Sequence, residues 1–294
     1  MPETLQGVAG FPRKARLSPR VHRILGMNPG LFTGPGTNTY LVGMDGESPL
    51  LIDTGSGVPK WMELLREHLE ECGAPIPGRV LFTHGHPDHT GGVGQVREAF
   101  PDAVLFKLPW QGVDDPDVPW HILREGEAVV GPGYTLRPLH TPGHAPDHLC
   151  YYLEEEGALF SGDVVLGVGT TVIPREGGNL TEYMASLRRL KQLPLERIYP
   201  GHGPVIEDGR AKVEEYIAHR MERETQVLAT MADGPLSVME MVRVIYRDYP
   251  ENLYPAAAQS VLAHLDKLEG EARVARAAGE TAPAQESDQV YQLA

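Results

Sequence analysis

The chain has 294 residues, 41% of them hydrophobic, and 26 basic against 40 acidic side chains give it a net charge of −14. That length accommodates one large domain and a smaller one around a real core, and no run approaches the ~20 apolar residues that cross a bilayer. The acidic balance disfavours, without excluding, extended nucleic-acid binding, which draws its affinity from Lys and Arg.

Residues 1–21 carry a few basic side chains but no continuous apolar stretch, so they do not read as a signal peptide. Short apolar runs bounded by Gly and Pro then predict strands at 39–42, 50–53, 80–83, 104–107, 136–139, 149–153, 159–161 and 197–199. Pro59 opens a helix that runs to about Glu71, with Trp61, Leu64, Leu65 and Leu69 on one face. A second helix is expected over 181–192. Strands interleaved with helices but rich in hairpin-like turns predict stacked sheets flanked by helices.

From about Arg210 the strand signals stop. Residues 211–231 read as a long amphipathic helix. Ser237 with Glu240 forms a capping-box pattern before a helix at 238–246. A third helix covers 256–268, and 272–275 could be a short strand, which together make a winged-helix-like module. The expected organisation is a large two-sheet domain at 1–209, the winged module at 210–276, and an Ala/Glu/Gln/Pro-rich disordered tail at 277–294. The two cysteines, Cys72 and Cys150, lie far apart and offer no disulfide framework, so a cytoplasmic protein is expected.

The chemical signal is His84-Gly85-His86-Pro87-Asp88-His89, placed directly after an apolar strand. Imidazole and carboxylate suit borderline cations, zinc above all. His84 and His86 can reach one cation, and Asp88 and His89 can turn toward a second. Three further ligand-type residues follow strands through glycine turns: His144 after Gly143, Asp163 after Gly162 and His202 after Gly201.

The His-x-His-x-Asp-His motif with His144, Asp163 and His202 closely resembles the metallo-β-lactamase superfamily over about residues 21–206. The resemblance implies an αββα sandwich of mixed α/β class with a metal site at one edge of the two sheets. It implies one zinc on His84, His86 and His144, a second on Asp88, His89 and His202, and Asp163 bridging them. Manganese and iron are the other metals such ligands take. Asp53, in Leu51-Ile52-Asp53-Thr54-Gly55, matches the aspartate that orients ligands without binding metal. His148 is a further candidate for a supporting role behind the ligands. Asn28-Pro29-Gly30, 36–43, 169–172, 216–220 and 238–240 resemble the branch containing beta-lactamase-like protein 2, which has a winged-helix extension and includes single-strand endoribonucleases and polyketide thioesterases. Two departures from that branch are a longer segment at 174–179 and Gly85 in place of a bulkier residue, which would open the pocket.

The expected chemistry is attack by a metal-bridging hydroxide, with Asp88 holding the water and accepting its proton as well as binding metal. The substrate expected is a small ester, thioester or lactone. Single-stranded RNA is the alternative, and a non-catalytic binding protein on the same fold is remote because no ligand is missing. Residues 210–276 carry nine basic and eleven acidic side chains, and 256–268 contain Lys267 as their only Lys or Arg, so the winged module is not expected to read DNA. It is expected instead to serve as a lid or in dimer packing, so an oligomer is allowed and a membrane partner is not expected. His22, His68, His121, His140, His219 and His264 stand in no ligand pattern and are expected at the surface or in packing. Trp110 and Trp120 are expected to pack, with pocket lining the lesser possibility.

Overall fold

The computed structural model describes residues 10–44, 49–277 and 285–294. Its first sheet runs in chain order: β1 (Lys14–Arg16), β2 (Val21–Leu25), β3 (Asn38–Val42), β4 (Leu50–Ile52), β5 (Arg79–Leu81), β6 (Val104–Lys107) and β7 (His121–Ile122). The first four strands are antiparallel hairpins, and β4 to β7 run parallel. The crossovers between the parallel strands carry helix α1 (Pro59–Cys72) and then the short α2 (Pro87–Thr90) and α3 (Val93–Ala99). A second sheet pairs β8 (Val129–Gly131), β9 (Tyr134–His140), β10 (Leu149–Leu153) and β11 (Ala158–Gly162) antiparallel, with β12 (Arg197–Pro200) added parallel to β11.

Strand side chains alternate faces, and in β4, β10 and β11 both faces are buried almost throughout, which is why these runs are largely apolar. Tyr40, Val42, Leu50 and Ile52 point inward to Leu149, Tyr151, Leu153 and Phe160 of the other sheet. Leu41, Leu51 and Val80 point outward to Trp61, Leu65 and Leu69 of α1. On the far side Cys150, Leu159 and Ile198 meet Tyr183, Leu187 and Leu190 of α4 (Leu180–Leu190) and Val213 and Tyr216 of α5 (Gly209–Thr230). The αββα sandwich is therefore present.

The last turns of α5 enter a separate core. Val227 and Met231 pack with Met241 and Val242 of α6 (Val238–Ile245), and with Val261, Leu262 and Leu265 of α7 (Tyr254–Gly270). The capping box at Ser237 is formed: its hydroxyl accepts from Glu240 N and its own N–H donates to Glu240. The wing is a three-stranded sheet of β13 (Leu236–Ser237), β14 (Val274–Arg276) and β15 (Val290–Leu293), with β15 in the middle. This corrects the expectation of a disordered tail over 285–294. Tyr291 is buried in the module core, so the segment gains apolar burial that its Glu/Gln-rich surroundings conceal. Residues 278–284 of that tail lie outside the described residues. Strands β1, β2, β7 and β8 also go beyond the predicted set. No helix of the described residues is long and apolar enough to cross a membrane.

Candidate metal centre

All seven ligand-type residues converge at one edge of the sandwich, carried by turns after strands and by the short helix α2. Beyond β5, Phe82 and Thr83 lead into His84 and His86, and Pro87 then starts α2, which carries Asp88 and His89. The turn is pinned from below: Thr54 donates from its N and Oγ1 to the His89 carbonyl at 2.8 and 2.9 Å. Thr83 donates from its N and Oγ1 to the Asp53 carboxylate, both at 2.8 Å. Asp53 itself is 2% exposed and holds φ +59°, a left-handed conformation that Asp tolerates better than most residues.

His144 follows Gly143, whose φ is +126° and where a Cβ would lie 2.3 Å from Tyr183 N of α4. Only glycine fits so close an approach of loop to helix. His202 follows Gly201, where a Cβ would stand 2.5 Å from Asp163 Oδ1. That turn is clamped by Asn38, whose side-chain amide donates to the carbonyls of Pro200 and Gly203 at 2.9 and 2.8 Å, and by the Tyr40 hydroxyl, which donates to Pro200 at 2.6 Å. Asn38 and Tyr40 thus have a structural task that spacing in the sequence does not disclose.

The donors form two neighbouring groups. Nε2 of His84 and Nε2 of His144 lie 3.0 and 2.9 Å from Nδ1 of His86. Asp88, His89 and His202 make the second group, with His202 Nε2 3.2 Å and His89 Nε2 3.5 Å from Asp88 Oδ2. Asp163 stands between them. Its Oδ2 is 3.6 Å from His144 Nε2, and its Oδ1 is 3.3 Å from Nε2 of both His89 and His202.

Hydrogen bonds on the far sides of the rings decide what the near sides offer. His144 Nδ1 donates to the Val172 carbonyl at 2.7 Å, and His89 Nδ1 donates to Asp53 at 2.7 Å. Because the Thr83 hydroxyl proton goes to Asp53, its oxygen accepts from His84 Nδ1 at 3.0 Å. The Nε2 atoms of His84 and His144 are therefore lone pairs, as is that of His89 whenever its ring is neutral. Yet two of them face a third imidazole nitrogen, and His89 Nε2 faces carboxylate oxygens. One ring proton on His86 cannot serve both lone pairs, and His89 Nε2 and Asp163 Oδ1 are buried with no hydrogen-bond partner among the described residues, so the residues present fit a metal.

The proton affinities agree. Burial, and then the neighbouring His144, pushes His86 down to about 4, and burial likewise lowers His84 and His144. Those three rings are neutral at pH 7 and competent as ligands. Burial also opposes charge on His89 and His202, but the carboxylates around them win. His89 is held well above its ordinary value by Asp88, Asp163 and Asp53, and His202 is raised to about 9 by Asp163 and Asp88. For Asp88 the cost of burial is outweighed by His89 and His202, and it falls to about 2. The second group is thus an anionic hole that attracts positive charge.

His148 lies outside the donor groups. Its Nε2 accepts from Asp163 N at 3.1 Å and its ring stacks on His84 with centroids 4.9 Å apart, so it backs the centre without facing it. Gly85 does not open the pocket, because Trp110 takes the room: its Cε3 would be 3.1 Å from a Cβ there. Trp120 packs edge-on against Phe82. A cleft of about 700 Å³ leads from the candidate ligands to the C-terminal module, whose Arg220, Arg223, Tyr246, Tyr249 and Tyr254 form the opposite wall. Arg223 lies over the Tyr246 ring, 4.2 Å from its centroid, and among the described residues it has no ion-pair partner. These wall residues come from α5, the turn after α6 and the start of α7, far beyond the ligand motif in the chain, and sequence spacing held no signal for them.

The family described as Metallo-beta-lactamase superfamily matches residues 32–202, and the Beta-lactamase associated winged helix domain matches 237–281. The chain is 42% identical over 288 residues to a beta-lactamase-like protein 2 homolog of Drosophila melanogaster, covering 93% of this chain and 96% of that one. It is 39% identical over 254 residues to an atrochrysone carboxyl ACP thioesterase of Aspergillus novofumigatus, covering 82% of this chain and 75% of that one. Among solved structures, a metallo-beta-lactamase family protein of Thermus thermophilus superposes with a TM-score of 0.76 at 28% identity, covering 95% of this chain and all of the other.

Proposed function

Since the chain belongs to the metallo-beta-lactamase superfamily, we propose that this metal-dependent hydrolase holds two zinc ions and cleaves the thioester, or a related ester or lactone, of a small and largely apolar acyl substrate. The observation that carries the two-metal reading is Asp163, whose two carboxylate oxygens face the two donor groups separately. His84, His86 and His144 would hold one ion and Asp88, His89 and His202 the other. Manganese or iron would suit the same donors.

Two bound ions would supply Lewis acidity and lower the pKa of water from about 15.7 toward 7. The chain's own residues do the rest. Asp88 is 27% exposed at its side chain and reaches the cleft, so it can orient the attacking water and take its proton. Asp53 and Val172 hold His89 and His144 in their ligand tautomers. Neither cysteine serves as nucleophile: Cys72 is remote from the ligands, and burial raises Cys150 to about 12.

The cleft supports the acyl reading. Leu166, Val168 and Val172 line one side of it, and Leu31 and Phe32 rim its mouth, 58% and 65% exposed. An apolar rim rewards an apolar substrate. The thioesterase among the relatives acts on that class of bond. Arg223 and its tyrosines favour a second reading, an RNA phosphodiester, but the acidic surface opposes it. The two free cysteines suit a reducing compartment, the cytoplasm.

The test compares zinc-loaded protein on acyl thioesters and lactones with labelled single-stranded RNA, each beside Asp88→Ala. Thioester or lactone turnover that falls at least 10²-fold in the variant is expected. RNA cleavage that the variant lacks, with no acyl turnover, would transfer the assignment to the ribonuclease.

A further inference from the structure

A second cluster of metal-type donors lies away from the cleft, on the outer face of the first sheet. His22 of β2 points to the same side as Ile24, two residues on, and Ile24 packs under α1. His68 and Cys72 stand four apart on α1, one turn above the other. The packing of α1 on β2 brings all three together. His22 Nδ1 is 2.8 Å from His68 Nε2, Cys72 Sγ is 3.7 Å from the same nitrogen, and the three donor atoms lie within 4.8 Å of one another.

These spacings are close to those a tetrahedral zinc ion imposes. With Zn–N of about 2.0–2.1 Å and Zn–S of about 2.3 Å, two nitrogens stand about 3.3 Å apart and a nitrogen and sulfur about 3.6 Å. The ring nitrogens of His84, His86 and His144 meet at 2.9 and 3.0 Å, so this cluster is as tightly drawn as the metal centre itself. His22 and His68 are 7% and 8% exposed while Cys72 is exposed, which leaves an entry path and room for a water. Lys14, the cation facing His68, is bonded to both carboxylate oxygens of Glu71 at 2.7 and 2.8 Å and lies 3.8 Å from Glu67. Its charge is thus offset. Burial, with Lys14 adding, lowers the proton affinity of His68 and keeps its ring neutral.

We propose that His22, His68 and Cys72 form a separate zinc site of two imidazoles and one thiolate, with its fourth position open to water. Binding replaces the thiol proton, so one proton leaves as one S–Zn bond forms. The site ties β2 to α1 and acts on stability, not on the reaction.

The experiment uses the full chain, stripped by chelator and titrated with Co²⁺ as a visible substitute for zinc. The metal centre at the cleft offers only nitrogen and oxygen donors, so a thiolate-to-cobalt charge-transfer band in the near ultraviolet reports this site alone. The band is expected to saturate at one equivalent, to vanish in Cys72→Ser and to persist in Cys150→Ser. Elemental analysis of the zinc-loaded protein should lose one equivalent per chain in Cys72→Ser, with hydrolytic turnover unchanged as proof of folding. Added zinc should also slow alkylation of Cys72 at least tenfold. Absence of the band when the protein is saturated with cobalt, a band that survives Cys72→Ser, or equal alkylation rates with and without zinc overturns the site and leaves a plain histidine–histidine hydrogen bond.

Discussion

Replacing Asp53 separates two things that one side chain does. Its carboxylate accepts from Thr83 N, Thr83 Oγ1 and His89 Nδ1, and its backbone holds φ +59°. Asp53→Ala leaves the Thr83 amide and the His89 ring N–H without their acceptor in a buried place, at about 1–3 kcal/mol each. Alanine also lacks the tolerance of Asp and Asn for left-handed backbone, which adds about 1 kcal/mol. A loss of about 5 kcal/mol is therefore expected, less whatever water recovers. Asp53→Asn keeps the backbone preference and one oxygen, but its NH₂ must face either the Thr83 N–H or His89. In the second case His89 Nδ1 becomes the acceptor and its proton moves to Nε2, the atom turned to Asp88 and Asp163. Metal affinity at that group should then fall about 10–100-fold, the usual size of an effect from a residue that orients a ligand. Chelator competition measures the affinity and chemical denaturation the stability. Wild-type affinity for every bound ion together with wild-type stability in Asp53→Asn would refute the idea that this carboxylate holds Thr83 and sets the His89 tautomer.

Other expectations concern groups away from the ligands. Lys107 is fully buried and its ammonium bonds Asp147 at 2.6 Å and Asp114 at 2.8 Å, while burial still holds the Asp147 carboxyl above its usual range. Lys107→Met should cost about 3–5 kcal/mol in denaturant unfolding by stranding those carboxylates, and adding Asp147→Leu should recover a good part; a loss below about 1 kcal/mol would show the pair to be dispensable. His264 is 1% exposed, both ring nitrogens lack partners among the described residues, and burial with Arg220, Arg223 and Lys267 lowers it to about 3. Its folded value lies below the unfolded one of about 6.5, so the unfolded chain takes up the proton first. The stability it confers is complete above pH 6.5 and is lost as pH falls toward 3, to a limit of roughly 5 kcal/mol. His264→Leu should shrink the difference in melting between pH 7 and pH 4 in metal-stripped protein, and an unchanged difference would exonerate this residue.

The candidate metal centre was legible because its donor residues follow a simple local rule. His84, His144, Asp163 and His202 each come shortly after a strand, three of them behind a glycine, so the end of the strand pointed to the donor residue. The strand alternation at Tyr40–Val42 and Leu149–Leu153 was equally plain, and it yielded the two-sheet core. Contacts made across long stretches of chain were not legible. His22 and His68 looked like packing residues because nothing local joins positions 46 apart. Lys107 closes a predicted strand, but no neighbour in sequence says that its ammonium is buried. Strand β1 is made of Lys14, Ala15 and Arg16, a composition with no strand signal, and it exists because β2 offers it a partner.

The position of β15 has a bearing on how the chain is made. Leu236 pairs with Tyr291, and Val274 with Leu293, so the wing closes around residues 290–293 from both sides. Helices α5, α6 and α7 emerge from the ribosome before those residues do, and Tyr291 is part of the core that they share. Until residue 293 is clear of the exit tunnel, the module has a gap in its core and two strands without a partner between them. The sandwich, complete in its pairing by residue 200, can fold while this is still pending. The C-terminal module, and with it the far wall of the cleft, is thus assembled after the sandwich, and losing a few residues after 289 would cost it far more than their number suggests.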